Sequence, residues 1–481
     1  MSLLSKVDWQ KLAASYRYRH RYNRFKESSK SYQYYNLGIP TFPDDLSLRK
    51  YQHLAVANWL ENKGRGTLKM ATGSGQTIIA LAIATELYQQ IGLQVLLIVC
   101  PYRHLVNQWS RECQKFNLKP VVAMTRVDNW QGELSNQLYN LSSNPQSFLT
   151  IIATNSTLIG EGFQSQLKYF PAKTLIVGDE AHNLGSSRIE SSLPRNIGLR
   201  LALSATPERQ YDELGTEALF DYFGSIIQPE FTLADAIKQG ALAHYLYYPV
   251  FVKLTASEAL SYAKLTQRIG WSLNKNPSFQ DNDNLTSLLT RRSRLIATAA
   301  NKLDCLQEIM ASRLHTSYTL FYCGDGSLAD DTRQIDAVTH LLGNKLGYRV
   351  NTYTTDTPLA ERERLRRQFE SGELQGLVAI RCLDEGIDIP AIKTAIILAS
   401  SSNPRQFIQR RGRILRPHPD KNRATLFDTI VIPPSLDRET WEIEKNLLRK
   451  ELQRFLTFAE LADNAEEAIA QLLSLQKRYE L

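Results

Sequence analysis

Residues 68–83 read LKMATGSGQTIIALAI, and the reading of this stretch decides the fold. A short apolar run is followed by four small residues, Thr72, Gly73, Ser74 and Gly75, and then at once by a helical pattern. Small residues let backbone N–H groups wrap a phosphate, and a helix that starts immediately turns the positive end of its dipole toward the anion. Thr77 opens the helix with a hydroxyl suited to Mg²⁺. The pattern calls for a lysine just before that threonine; here the position holds Gln76.

Outward from this turn, short aliphatic runs alternate with helical segments. VLLIVC (95–100), FLTIIAT (148–154), TLIVGDE (174–180) and LRLALSAT (199–206) are largely unbroken apolar runs, as expected for a parallel sheet covered on both faces. Helical stretches such as RHLVNQWSRECQKF (103–116) separate them. A second series follows: YTLFYCG (318–324), YRVNTYT (348–354), GLVAIR (376–381), TAIILAS (394–400) and ATLFDTIV (424–431). The alternation predicts an α/β protein of two tandem doubly wound domains, parallel sheets with helices on both faces, plus helical extensions. The expected divisions are a basic, Tyr-rich N-terminal extension over 1–45, a first α/β domain over 46–230, a helical linker or insertion over 231–300, a second α/β domain over 301–435, and a helical segment over 436–481. In that last segment Trp441, Leu447, Leu448, Leu452, Phe455 and Leu456 fall at helical spacing and predict a helix docked on the core.

The 481 residues are too many for one core and suit two or three domains. Hydrophobic residues at 43% and charged residues at 22% are ordinary for a globular protein. No run is apolar enough to span a bilayer, and the first residues, MSLLSKVDWQKL, lack a secretory stretch. Cys100, Cys113, Cys305, Cys323 and Cys382 are scattered without a CxxC pair, so neither a zinc site nor a disulfide framework is indicated, and a reducing cytoplasm is expected. The net charge of +8 suits an anionic partner. Residues 16–35 interleave Arg and Lys with six tyrosines. Two readings stay open for them: cations on phosphates with rings stacked on bases, or a helix packing its tyrosines on the body of the protein.

Downstream, IVGDEAH (176–182) closes an apolar strand. Asp179 at the strand end would hold Mg²⁺ through its water shell, and Glu180 would polarise an attacking water as general base. SATP (204–207) follows. The order of phosphate loop, DEAH and SATP is far more specific than any one of them.

On these motifs the chain resembles superfamily 2 helicases and translocases, which have two RecA-like domains, and the resemblance covers about residues 45–435. It is most similar to the DEAH-box group that holds restriction-enzyme motor subunits and XPB-like repair helicases. The resemblance implies that Gln52 in LRKYQ (48–52) contacts adenine with Arg49 nearby, and that His182, Ser204 and Thr206 couple the nucleotide site to the nucleic-acid cleft. It implies strand contacts from Pro101, Arg103 and Thr154. In the second half, LDEGIDIP (383–390) matches motif V, placing Gly386 and Asp388 beside the nucleotide, and QRRGRILR (409–416) matches motif VI. There Gln409 would approach the γ-phosphate, and Arg413 and Arg416 would act as arginine fingers. The family commonly carries Thr or Ser shortly before the EG of motif V. Arg381 stands in that neighbourhood here, which leaves a phosphate contact intact but puts its geometry in doubt.

The implied activity is ATP- and Mg²⁺-dependent movement on, or unwinding of, nucleic acid. DNA, as single strand or duplex with a single-stranded region, is favoured over RNA by the same resemblance. No nuclease constellation is evident, so cleavage would belong to a partner in restriction, antiviral defence or repair. Gln76 predicts weaker ATP binding and hydrolysis lower by roughly 10²-fold or more, the scale of losing one strong electrostatic stabiliser. It fits an introduced substitution that stalls the motor, a naturally inactive motor, or a lysine replaced by another cation; the otherwise complete ATPase set favours the first. The rival class is a non-hydrolysing, ATP- and DNA-responsive scaffold that recruits an effector.

Overall fold

The computed structural model describes residues 3–22, 38–124, 126–144, 147–209, 212–275, 283–328, 331–354, 356–380, 389, 391–399, 412–434 and 438–479. The chain divides into two compact units, Met1–Ala236 and Ile237–Leu481. Each is built on a six-stranded sheet in which every pairing is parallel.

In the first unit the strands are β1 (Arg65–Lys69), β2 (Val95–Cys100), β3 (Pro120–Ala123), β4 (Leu149–Thr154), β5 (Thr174–Asp179) and β6 (Leu199–Ser204), in the spatial order β1-β6-β5-β2-β4-β3. β2, β4 and β6 are buried at every residue, which is why their sequences are continuous apolar runs rather than alternating ones. The second unit holds β7 (His244–Lys253), β8 (Thr319–Cys323), β9 (Val350–Tyr353), β10 (Gly376–Ile380), β11 (Thr394–Ile397) and β12 (Arg423–Ile432), in the order β7-β12-β11-β8-β10-β9. The expected fold class, two RecA-like α/β domains with helical extensions, is the one observed.

One segment needs correction. Residues 231–300, expected as a helical linker or insertion, contribute β7, a ten-residue strand paired with β12 along its whole length. It is an edge strand, so Pro249 in its middle loses no ladder bond that the sheet needs. The proline and the half-polar HYLYYPVFVK pattern hid it. The helices Ala256–Lys275 and Asp283–Ala297 do follow. They are clamped to the C-terminal helix Arg438–Ala459 by a buried ion pair, Arg292 to Glu444 at 3.0 Å, with the Tyr262 hydroxyl donating to Glu444 at 2.5 Å. Leu448, Leu452 and Phe455 are buried on that helix, as its spacing predicts. The helix Ala465–Arg478 then lies near the free edge of β7, where the Asn464 side chain accepts from the Tyr247 N–H at 2.9 Å and donates to its carbonyl at 3.0 Å. Among the described residues no helix is long and apolar enough to cross a membrane.

The N-terminal helix Trp9–Tyr22 packs on the helix Lys50–Glu61. Tyr16 is buried and its hydroxyl meets His53 Nδ1 at 3.0 Å; Arg17 pairs with Glu61 at 2.6 Å, and Arg19 pairs with Glu86. Over this helix the packing reading holds for Tyr16, while Tyr18 is exposed; residues 23–37 lie outside the described residues. His20 stacks near His53, ring centroids 4.6 Å apart. Burial, and then the His53 and Arg19 charges, lower its pKa from 6.5 to about 4. The unfolded chain therefore takes up a proton there before the folded one does. The helix's docking is at full strength above pH 6.5 and is lost as pH falls toward 4. Glu86 acts in the opposite sense, its pKa raised by burial. Thermal unfolding followed against pH should fall more steeply across this window for the parent than for His20→Gln, in which Glu86 is retained; superimposed profiles would remove His20 from the account.

Candidate functional site

In the first unit the C-terminal ends of the parallel strands share one edge, and the predicted residues gather there. β1 ends at Lys69, the chain turns through Met70–Gly75, and the helix Gln76–Ile91 starts at once. Gly73 and Gly75 take left-handed backbone, φ 87° and 88°, a conformation that costs an L side chain strain. At Gly75 a Cβ would also lie 2.5 Å from the Gln52 amide nitrogen. The turn is held from beneath: the Tyr51 hydroxyl donates to the Ser74 carbonyl at 2.5 Å and Gln52 Nε2 to the same oxygen at 3.3 Å. Gln52 Oε1 accepts the Arg49 N–H at 2.8 Å. Tyr51 in turn stacks on Phe231, centroids 3.9 Å apart, and burial raises its pKa. Gln52 and Arg49 are thus brought to the phosphate turn, and Tyr51 joins them as a residue the sequence reading passed over, though it stands next to Gln52.

Gln76 occupies the first helical position and its amide donates to the Met70 carbonyl at 2.8 Å. The nearest lysine in sequence, Lys69, is drawn to Glu208 at 2.7 Å and Glu230 at 3.3 Å. Thr72 and Thr77 are half-buried on either side of the turn. Ser74 Oγ is buried with no hydrogen-bond partner among the described residues. The turn thus fits a polyphosphate in its backbone, its helix start and its orphaned hydroxyl, and departs from that fit in charge at position 76.

Two strands along the same edge, β5 delivers Asp179. Its Oδ2 accepts the Trp109 indole N–H at 2.7 Å and its Oδ1 the Glu180 N–H at 2.9 Å. Glu180 has φ 46°, left-handed for a residue with a side chain, a strain of the kind held in place at functional sites. Its carboxylate lies 3.7 Å from His182 Nδ1. Asn183 donates to the Glu180 carbonyl at 3.1 Å and to His182 Nε2 at 3.0 Å. With Nε2 accepting, the imidazole proton sits on Nδ1, facing Ser204 Oγ at 3.3 Å. Ser204 closes β6 and accepts the Thr206 N–H at 3.1 Å. The DEAH and SATP motifs are therefore one hydrogen-bonded unit. Arg209 braces it, donating to the His182 carbonyl and pairing with Asp212 at 2.6 Å. Trp109 and Arg209 carry no motif signal of their own.

Farther along, β2 and β4 end side by side, with Cys100 opposite Thr154. Pro101 is half-buried and Arg103 exposed at the start of the helix Arg103–Lys115. Thr154, expected on the strand-contacting surface, is buried and caps the short helix Asn155–Leu158, accepting the Thr157 N–H at 3.2 Å. Ser156 beside it is exposed. In the second unit Arg413 is buried and Arg416 half-buried, on a segment held by the Ala243 N–H on the Leu415 carbonyl at 2.7 Å and by Lys421 on the Ile414 carbonyl at 2.7 Å. Arg381, Gly386, Asp388 and Gln409 lie outside the described residues.

Residues 45–209 match the family described as "Type III restriction enzyme, res subunit", and residues 301–418 match "Helicase conserved C-terminal domain". The DNA 3'-5' translocase XPB2 of Sulfurisphaera tokodaii is 28% identical over 423 residues, covering 84% of this chain and 85% of the relative. The DNA 3'-5' helicase XPB of Kineococcus radiotolerans is 25% identical over 404 residues, covering 82% of this chain and 62% of the relative. Among solved structures, the ATP-dependent Type ISP restriction-modification enzyme LlaBIII bound to DNA superposes with a TM-score of 0.58 at 18% identity. That match covers 91% of this chain but only 33% of the enzyme. The Pyrococcus furiosus Hef helicase domain gives 0.50 at 17% identity, covering 79% of this chain and 95% of that domain. The chain belongs to the superfamily 2 helicases and translocases.

Gly75→Ala tests the turn. Left-handed backbone plus the contact with Gln52 should cost about 1–3 kcal/mol, measured as a drop in urea-unfolding stability of the first unit; an unchanged midpoint would mean that the turn is not built as described.

Proposed function

We propose that this chain is an ATP- and Mg²⁺-dependent motor that moves along or unwinds DNA, and that Gln76 throttles its hydrolysis. The observation that carries the reading is the shared edge where the phosphate turn, Asp179, Glu180 and the His182–Ser204–Thr206 unit meet. The nucleotide binds through the Thr72–Thr77 turn, with Arg49 and Gln52 on the base side. Thr77 and Asp179 hold the cation, which neutralises phosphate charge. Glu180 orients and deprotonates the attacking water. In the second half, Gly386 and Asp388 border the nucleotide, Gln409 approaches the γ-phosphate, and Arg413 and Arg416 stabilise the transferring phosphoryl group. Pro101, Arg103, Arg381 and the Thr154 turn contact the strand.

DNA as the track is supported by the relatives named for DNA translocation and by the similarity to a restriction enzyme solved on DNA. Contacts of this kind read phosphates, so little sequence preference is expected. The same similarities favour work in DNA restriction, antiviral defence or repair inside the cell, beside a nuclease or other partner. Gln76 keeps an amide where the pattern has a full cation, and Lys69 is engaged with Glu208 and Glu230. This arrangement also favours a second reading, an ATP- and DNA-responsive scaffold that recruits an effector without turnover.

DNA-stimulated ATPase activity separates them. Gln76→Lys should raise turnover by roughly 10²-fold or more, and adding Glu180→Gln to it should remove most of that gain. A lysine form inactive on single-stranded, double-stranded and forked DNA and on RNA sinks the motor reading and leaves the scaffold. Stimulation by RNA alone would make it an RNA helicase.

A further inference from the structure

We infer that Trp109 is a positioning residue that transmits strand engagement to the cation-holding carboxylate Asp179; this rests on the motor reading above. The helix Arg103–Lys115 starts just past the C-terminal end of β2, with Arg103 in solvent, and runs back over the sheet with Leu105, Val106, Trp109 and Cys113 buried. Trp109 lies six residues in, about 9 Å along the axis at 1.5 Å per residue. Its ring is 1% exposed and its N–H reaches Asp179 Oδ2 at 2.7 Å. β2 and β5 are neighbours in register, Val99 beside Gly178. The helix that follows β2 and the carboxylate that ends β5 are therefore bridged by one side chain.

The chemistry of the indole suits the task. It donates one hydrogen bond, accepts none and carries no charge. A lysine or arginine in its place would orient the carboxylate but compete with a divalent cation for its negative charge. The indole fixes one oxygen while the Glu180 N–H fixes the other, so the carboxylate's plane is set before the cation arrives. Partners of this kind tune metal affinity by roughly 10–100-fold. Because the ring is packed in the sheet-covering face of its helix, a shift of that helix by a strand bound at Pro101–Arg103 re-aims Asp179. Strand binding and cation binding are thereby coupled, and the coupling runs both ways.

The test uses the full chain as it stands, so slow hydrolysis does not interfere. A fluorescent ATP analogue is titrated at graded Mg²⁺, with and without an oligo-dT strand. In the parent the strand should lower the Mg²⁺ needed for half-maximal nucleotide affinity. Trp109→Phe, which keeps a ring and removes the donor, should raise that Mg²⁺ requirement by roughly 10-fold and abolish the strand's effect. Mg²⁺-free nucleotide affinity and strand affinity should stay as in the parent. An unchanged Mg²⁺ dependence and strand effect in Trp109→Phe overturn the inference, as does a loss of Mg²⁺-free nucleotide binding of the same size. Should Trp109→Phe fold poorly, the indole N–H signal of Trp109 in the ¹⁵N-tryptophan-labelled parent decides: it must shift on adding the strand without Mg²⁺, and a static signal overturns the inference. If the parent binds no Mg²⁺–nucleotide, the same titration in Gln76→Lys decides, and a lysine form that binds none refutes the motor reading itself, a result distinct from either outcome at Trp109.

Discussion

In a sheet whose strands all run the same way, every strand delivers its C-terminal end to one edge, and each connection must return along a face before the next strand begins. In the first unit that constraint does most of the assembly. Residues far apart in sequence, Lys69 at the end of β1, Cys100 of β2, Thr154 of β4, Asp179 of β5 and Ser204 of β6, are brought to one edge because each closes a strand. The returning helices must bury apolar faces against the sheet, which gives the helix Gln76–Ile91 its unbroken buried run from Ile79 to Leu87. A loop at this edge is therefore free to be polar, small or strained, since its neighbours on the sheet carry the stability.

The sequence announces what depends on local pattern. All nine strands read from apolar runs are present, because full burial leaves a mark on every residue of a central strand. The three that escaped are at or beside edges. β1 is short, with Arg65 and Lys69 at its ends and Gly66 at φ 155°; β3 has four residues beginning with a proline; β7 carries Pro249 and alternates buried and half-buried positions. The site divides the same way. The phosphate turn, DEAH and SATP are legible because their chemistry needs particular residues at adjacent positions. Tyr51, Trp109 and Arg209 were not, because each acts on a residue distant in sequence: Ser74, Asp179 and the His182 carbonyl. A single sequence holds no sign of which side chain will arrive from a different strand's helix.

The lysine nearest the turn in sequence is already engaged. Lys69 neutralises Glu208 and Glu230, and Gln76 satisfies a backbone carbonyl. Asp179 is oriented by two neutral donors, an indole and a backbone N–H, and the Glu180 carboxylate lies 3.7 Å from His182 Nδ1. Such a site has high demand for positive charge and supplies little of it locally. In the proposed reaction a divalent cation meets that demand.

Asn464 has a role that its position in a connecting turn conceals. Its side-chain amide offers Tyr247 one donor and one acceptor, as the backbone of a neighbouring strand would, and Asp463 adds a backbone bond to Tyr245. Two residues thus act as a counterfeit seventh strand. An open edge of ten residues invites pairing with any extended chain; this one is answered from within its own unit. The turn between the two C-terminal helices therefore caps this end of the second sheet's edge, leaving fewer open backbone groups there for a neighbouring molecule's strand.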